Sequence, residues 1–268
     1  MMITSKANPQ IKKMIRLARK ASERRKQGVF LVEGIRMFAE TPPGERLSVY
    51  VSDTFLKKEE HRQMLADVEY QAVSDVVFQQ MSDTQTPQGI LCIVRRPVYR
   101  LADLIQKDKT HLLILEDIQD PGNLGTMMRT AEGAGVTGII MNQTCVDLFS
   151  PKTIRSTMGS IYRVPFYITE DLKDTVCELK RQKITIYAAH LKGEKSYDAF
   201  DYRGKCGFLI GNEGAGLKEE TVLLADNCLH IPMEGHLESL NAAMAAGILM
   251  YEVNRQRRSK NGLKMQVS

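Results

Sequence analysis

The chain has no tryptophan, only five cysteines among 268 residues, and no apolar run long enough to span a membrane. Each shortage closes a class of function. A helix needs about 20 consecutive apolar residues to cross the bilayer core, so no membrane span is expected. The N-terminus has no apolar h-region, so a secretory signal is not expected and the cytosol is the default compartment. Cys92, Cys145, Cys177, Cys206 and Cys228 are odd in number and nowhere spaced C-x-x-C, which argues against a disulfide framework or a zinc site. The five histidines form no H-x-x-x-H pair, so no metal is expected, and no G-x-S-x-G elbow offers a hydrolase nucleophile. Two nucleotide motifs fail on context. Residues 133–138 match G-x-G-x-x-G but end a predicted helix and precede a strand, the reverse of a dinucleotide site. Residues 211–216 have the outer glycines of a phosphate loop, yet Leu217 stands where that loop needs Lys. Internal repeats are absent as well.

What is present is a soluble globular composition, 43% hydrophobic and 26% charged, on a length that favours two domains over one. The net charge of +5 is segregated. Residues 1–30 carry nine Lys or Arg against Glu23 alone, and residues 255–268 carry Arg255, Arg257, Arg258, Lys260 and Lys264 with no acid. The body between is acidic. Basic ends suit a polyanion, because Lys and Arg contacts to phosphates release counterions and supply sequence-independent affinity. Solvated ends that aid solubility are the plainer alternative. The first basic segment predicts an amphipathic helix, with Asn8 as cap and Pro9 at its first position. Ile11, Met14, Ile15 and Ala18 form its apolar stripe, while Lys12, Lys13, Arg16, Arg19 and Lys20 face outward.

From residue 29 the period changes. β-rich runs at 29–32, 47–51, 69–73 and 90–94, with a helix over 57–67, predict a small α/β domain over 1–97. A linker is expected over 98–109. A second alternation fills 110–268, with apolar runs at 112–115, 138–141, 184–189, 207–210 and 228–231 that lack strict alternation, as strands buried on both faces should.

Three polar clusters lie where strands of this second domain meet helices, the place where α/β folds gather ligand groups. Asn123 follows the Asp120-Pro121-Gly122 turn and is placed to cap a helix whose stripe is Leu124, Met127, Met128 and Ala131, leaving Arg129 accessible. Gly211-Asn212-Glu213-Gly214 follows a buried strand and precedes a helix at Leu217, with glycine permitting close backbone approach to a ligand. Ile231-Pro232-Met233 ends a strand before Ser239-Leu240-Asn241 opens an Ala-rich helix, with Ser239 a candidate cap. On that helix Ala242, Ala243, Ala246 and Gly247 are small enough for tight helix packing or a subunit interface. Singly, each cluster is explained as well by a cap, a turn or a solvated charge.

Together, in this order and spacing, the clusters resemble the three motifs of the SpoU (TrmH-like) RNA ribose methyltransferases. Arg129-Thr130-Ala131 and Met158-Gly159-Ser160 through Val164-Pro165 support the likeness. The N-terminal unit is similar to the L30e-like substrate-binding domain that often precedes this catalytic domain, through Phe30-Leu31-Val32-Glu33-Gly34 and Thr86-Pro87-Gln88-Gly89-Ile90. The resemblance implies a trefoil-knotted α/β methyltransferase domain that works as a homodimer, with residues of both subunits at each site. It implies methyl transfer from S-adenosylmethionine to a ribose 2'-hydroxyl of RNA, ribosomal (23S) RNA first and transfer RNA as the alternative. By the same likeness Gly211, Ile231 and Leu240 would hold the donor, while Asn123, Arg129, Glu213, Ser239 and Asn241 would build the reaction centre. Lys12, Lys13, Arg16 and Arg19 are the expected RNA contacts.

The family assigns Arg129 the role of base. A guanidinium, however, holds its proton with a pKa above about 12. Arg129 is therefore expected to orient the phosphate and stabilise the developing alkoxide, with Ser239 or a water relaying the proton. Glu213 and Asn123 are expected to order the site. A non-catalytic RNA-binding protein and a nucleotide-dependent oxidoreductase are the rival classes; the intact Arg129, Glu213, Ser239 and Asn241 oppose the first, and the misplaced glycine motif opposes the second.

Overall fold

The computed structural model describes residues 2–105, 108–237 and 239–259, so Lys260 and Lys264 of the basic end lie outside the described residues. Two compact units emerge: Met1–Val98 with Asp147–Tyr162, and Tyr99–Val146 with Arg163–Ser268.

In the first unit Asn8 accepts the Gln10 N–H at 2.8 Å and Pro9 opens the helix Pro9–Arg19. Ile11, Met14 and Leu17 are fully buried, with Ile15 and Ala18 only partly so. The stripe is thus rotated toward Leu17 relative to the sequence expectation, and Lys12, Lys13, Arg16, Arg19 and Lys20 remain exposed. A second helix, Ala21–Gln27, stops at Gly28, which takes the left-handed conformation (φ +64°) that suits glycine at a helix end. A four-stranded sheet follows, built from β1 (Val29–Glu33), β2 (Arg46–Ser52), β3 (Gln71–Val73) and β4 (Ile90–Arg95) in the order β1-β4-β2-β3. β4 is antiparallel to both neighbours, and β3 pairs parallel with β2. Of the helix expected over 57–67 only Glu59–Met64 forms, and a separate short helix, Asp53–Leu56, precedes it. Ser52 caps Asp53–Leu56, and Lys58 turns extended between the two, which breaks the hydrogen-bond ladder.

Residues 147–162, which the sequence reading places in the second domain, pack with the first unit. Their helix Pro151–Thr157 lies against β1, the Phe149 ring sits 5.2 Å from that of Phe30, and the Tyr162 hydroxyl is 2.9 Å from that of Thr41. Arg24 is the fastener. Only 4% exposed, it donates to the Leu17 and Ala18 carbonyls at 2.6 and 3.0 Å, capping the first helix, and to Asp147 at 2.5 Å.

The second unit is a seven-stranded sheet of β5 (His111–Leu115), β6 (Gly138–Asn142), β7 (Phe166–Thr169), β8 (Thr185–Ala189), β9 (Lys195–Ser196), β10 (Cys206–Ile210) and β11 (Asn227–His230). The order is β7-β6-β5-β10-β8-β11-β9, and every pairing is parallel. β7 and β9 were not anticipated. Both are short edge strands: β9 has no apolar residue, and β7 has only the three-residue run Phe166-Tyr167-Ile168. β5 and β10 are buried at every position, as continuous apolar runs require. Leu112, Ile114, Ile186 and Leu209 pack with the helix Leu172–Arg181 through Val176 and Leu179. The helices Pro121–Ala134 and Ala242–Ser259 pack against each other. Residues 98–109, read as a linker, include the helix Leu101–Leu104, whose Leu104 fills the space where a side chain at Gly138 would stand.

The basic C-terminal segment is partly structural. Arg257 donates to the carbonyls of Lys109, Thr110, Tyr202 and Gly204, and Arg255 pairs with Glu252 at 2.7 Å. Among the described residues no helix is long and apolar enough to cross a membrane.

Replacing Asp147 with Ala strands the buried Arg24 guanidinium. Removing one partner of a fully buried pair costs about 3–5 kcal/mol; because Asp147 is partly exposed, about 2 kcal/mol is expected. Urea unfolding followed by circular dichroism would measure it, and a loss below about 0.5 kcal/mol, the level of a surface pair, would contradict this role.

Candidate functional site

Parallel strands end their carbonyl edges on one side, and there the chain opens a cavity of about 220 Å³. Its floor is the ends of three adjacent strands, Ile210 of β10, Ala189 of β8 and Leu229 of β11. Gly211, Ile231 and Leu240, the three expected donor contacts, all line it, as do Glu213 and Ser239. Asn123, Arg129 and Asn241 lie outside its wall.

One wall is the loop 211–217. Asn212 and Gly216 exchange backbone hydrogen bonds at 3.0 and 2.9 Å, and the Asn212 side-chain oxygen accepts the N–H groups of Gly214 and Ala215, both at 2.9 Å. The loop is thereby closed on itself. A Cβ at Gly211 would stand 2.2 Å from the Gly216 carbonyl carbon, so the close approach that demands glycine is to the loop's own backbone rather than to a ligand. The helix expected at Leu217 begins at Glu219 and is only four residues long.

Two caps differ from expectation, and the difference matters. The helix Pro121–Ala134 is capped by Asp120, which accepts the Asn123 N–H at 2.8 Å, so Asn123 lies in the first turn with its side chain free. The helix Ala242–Ser259 is capped by Asn241, whose oxygen accepts the N–H groups of Ala243 and Met244, at 2.9 and 3.3 Å, leaving Ser239 outside the cap. With the Asn241 oxygen committed, its NH₂ must point away, and it donates to the Asn123 oxygen at 3.0 Å. The Asn123 NH₂ then donates to Glu213 at 2.9 Å. One directional chain, Asn241 to Asn123 to Glu213, joins all three clusters.

Glu213 completes the arrangement by accepting the backbone N–H groups of Gln119 and Asp120, both at 3.1 Å, ahead of the same helix. Partial burial works against its charge, but hydrogen bonds from Asn123 and from the backbone N–H groups of its own residue, Gln119 and Asp120 outweigh that and hold its carboxyl below the usual glutamate value. Arg129 is exposed and has no hydrogen bond or ion pair among the described residues. The stripe beneath it, Leu124, Met127, Met128 and Ala131, is fully buried as expected. The small residues of the last helix are buried within the subunit: Ala242, Ala243 and Ala246 are covered, and Gly247 comes up against Thr130. Among the described residues no group of three or more His, Cys, Asp or Glu is placed to hold a metal.

Family models match both parts of the chain, the SpoU rRNA methylase family over residues 110–251 and an MRM3-like substrate-binding domain over residues 8–92. The chain is 32% identical to the 23S rRNA (guanosine(2553)-2'-O)-methyltransferase RlmP of Bacillus subtilis, over 94% of this chain and 98% of that protein. It belongs to the SpoU rRNA methylase family. Among solved structures of the family, AviRb of Streptomyces viridochromogenes in complex with AdoMet superposes with a TM-score of 0.85 at 25% identity, covering 94% of this chain and 99% of that one. An AdoMet-bound rRNA methyltransferase of Sinorhizobium meliloti gives 0.78 at 28% identity, covering 95% and 97%. The SpoU resemblance read from the three clusters, and the substrate-binding character of the N-terminal unit, are thus correct.

Asp117 was missed by sequence reading, for it carries no motif of its own. It sits at φ +55°, a strained conformation for a side-chain-bearing residue that Asp tolerates better than most. Its carboxylate accepts from Asn142 at 2.8 Å, accepts from Thr144 and pairs with Lys218 at 2.8 Å. Its neighbour Glu116, nearly fully buried, accepts the Lys218 N–H at 2.9 Å and the Thr221 hydroxyl at 2.6 Å.

Because the folded-state pKa of Glu213 lies below the ordinary value of about 4.3, its contribution to stability is complete above that pH and is lost as pH falls through the lowered pKa. Thermal midpoints of the native chain and Glu213→Gln are therefore expected to differ at pH 7 and to converge as acidification protonates Glu213 below its ordinary pKa. A gap that stays constant with pH would show that the charge of Glu213 contributes nothing.

Proposed function

We propose that this chain transfers a methyl group from S-adenosylmethionine to a ribose 2'-hydroxyl of 23S ribosomal RNA, as a cytosolic homodimer with the knotted chain path of its family. The observation that carries the reading is the hydrogen-bond chain from Asn241 through Asn123 to Glu213, which ties a loop-walled cavity to the helix that carries the exposed, uncommitted Arg129. A non-catalytic RNA-binding role would leave that frame and that cation without use.

The cavity suits an adenosyl group in kind. Its walls combine apolar Ile210, Leu229, Ile231 and Leu240 with the polar backbone of a glycine-rich loop, the mixture that binds a flat apolar ring and fixes it by a few polar contacts. Gly211, Ile231 and Leu240 would hold the donor, which when bound supplies an electrophilic sulfonium methyl. The remaining work belongs to the chain. A ribose hydroxyl is a weak nucleophile and must lose its proton as it attacks. Arg129 holds the adjacent phosphate and stabilises the alkoxide as it forms, while Ser239 or a water relays the proton to solvent; the new oxygen–methyl bond replaces the methyl–sulfur bond, and the neutral thioether leaves. Asn123, Glu213 and Asn241 keep the helix start, the loop and the last helix in register. In the first unit Lys12, Lys13, Arg16 and Arg19, all exposed on one short helix, contact RNA phosphates.

Support for a dimer comes from the last helix. Its inner face is buried within the subunit, yet Met244 and Tyr251, seven residues apart on one face, are 61% and 49% exposed. Tyr251→Lys with Met244→Lys is expected to shift sedimentation from dimer to monomer; an unchanged sedimentation coefficient would place the interface elsewhere.

The Arg129 assignment is tested by pH–rate profiles. Arg129→Ala is expected to lower the methylation rate by about 10²–10³, the cost of losing one charge-stabilising group. Arg129→Lys should recover part of that rate without a new, lower pKa in the profile. A new pKa would make residue 129 the base. Mapping ribose methylation across ribosomal RNA in a deletion strain tests the substrate, and an unchanged map would redirect the search to transfer RNA.

A further inference from the structure

The loop that walls the cavity closes on itself, but closure does not fix where it stands. Glu213 ties its middle to the helix Pro121–Ala134, and one further residue holds it from outside near both of its ends. The Asp117 carbonyl accepts the Asn212 NH₂ at 2.9 Å, where the loop begins. The Asp117 carboxylate pairs with Lys218 at 2.8 Å, where the loop ends. Asp117 itself is held from a third direction: its N–H donates to the Asn142 oxygen at 3.1 Å, and its carboxylate accepts from Asn142 and Thr144. The same carbonyl also accepts from Gln119 at 3.1 Å, next to the N–H groups that Glu213 binds. Three segments, 117–120, 142–144 and 212–218, therefore meet on one left-handed residue.

We propose that Asp117 is a positioning residue for the methyl donor: through its φ of +55°, its carbonyl and its carboxylate it pre-forms the loop 211–217 against the cavity. The inference rests on the reading of that cavity as the donor site. Pre-forming a binding loop raises affinity because less chain has to be ordered on binding. The side chain must be a carboxylate. Its partners are an ammonium, an amide NH₂ and a hydroxyl, all donors, whereas Asn at this position would turn its own NH₂ toward one of them. Asn adopts left-handed backbone about as readily as Asp, so Asp117→Asn alters the charge pattern and leaves the backbone conformation accessible.

The test is calorimetric titration of S-adenosylmethionine into the native chain of 268 residues, Asp117→Asn and Lys218→Met, with hydrogen exchange of the 212–217 amides measured on the same samples. Asp117→Asn is expected to weaken donor binding about ten-fold, or ~1.4 kcal/mol, and to speed exchange at Gly214 to Gly216. Lys218→Met removes a single tie at a partly exposed side chain and is expected to weaken binding about three-fold, or ~0.65 kcal/mol, with the fold intact. Asp147→Ala, which loosens the other unit, should lower stability and leave donor affinity unchanged, separating positioning from general destabilisation. Native affinity in both Asp117→Asn and Lys218→Met, with unchanged loop exchange, would overturn the proposal. Should the native chain bind no donor, the reading of the cavity fails instead, and loop exchange alone still decides whether Asp117 fixes the loop.

Discussion

Two asparagine carboxamides and one carboxylate hold the functional end of this molecule together. An amide has a donor side and an acceptor side, so a row of amides has a direction, and that direction must be anchored at one end. Here the anchor is the N-terminus of the last helix, whose free N–H groups take the Asn241 oxygen and thereby set Asn241, Asn123 and Glu213 in sequence. The far end is anchored as firmly, because Glu213 also satisfies two N–H groups just ahead of the helix Pro121–Ala134, where the helix dipole favours negative charge. Neither helix start could shift without leaving a polar group unpaired. That constraint lets segments about 90 and 118 residues apart in sequence act as one site.

The same economy governs the cations. A sequence rich in Lys and Arg at both ends invites the view that all of them wait for RNA, but the fold has already committed several. Arg24 caps the first helix and fastens residues 147–162, and Arg257 gathers four carbonyls, two just ahead of β5 and two just ahead of β10. A planar guanidinium with five donors suits such work where a single ammonium would not. The exposed Lys12, Lys13, Arg16 and Arg19 are a different population, carried on a helix whose opposite face is buried at Ile11, Met14 and Leu17. Charge count alone could not separate the two groups.

Much of the second unit was legible because buried parallel strands write continuous apolar runs. The runs at 112–115, 138–141 and 207–210 each lie inside an observed strand, whereas β9, two residues long, leaves no signal. Caps were harder. Asn123 and Ser239 stand near helix starts and have the right chemistry, but Asp120 and Asn241 have it too, and local sequence does not rank neighbouring candidates. The error is instructive, since an Asn123 used as a cap would have no side-chain oxygen left to accept from Asn241. Gly211 was read as allowing close approach to a ligand, yet what excludes a side chain there is the loop's own return path, a non-local fact. Asp117 was invisible for the same reason: four of its five hydrogen-bond and ion-pair partners lie between 25 and about 100 residues away.

Arg129 is the counterpart to all this commitment. On an isolated helix Glu132, one turn onward, would be a ready partner, since charges three residues apart meet on the helix surface. In the folded chain Glu132 is engaged by Arg163 at 2.5 and 3.2 Å, from a segment on the other side of β6 in the sequence. The guanidinium of Arg129 is left without a counter-charge among the described residues. An exposed cation of this kind contributes nothing to the stability of the fold, while Asp117 with Lys218, Glu252 with Arg255 and Asp147 with Arg24 are all paired. Its value lies in what it can still bind, and the most strongly matched ligand for a planar, five-donor cation is an anion with several oxygens in a plane or fork, a phosphate above all.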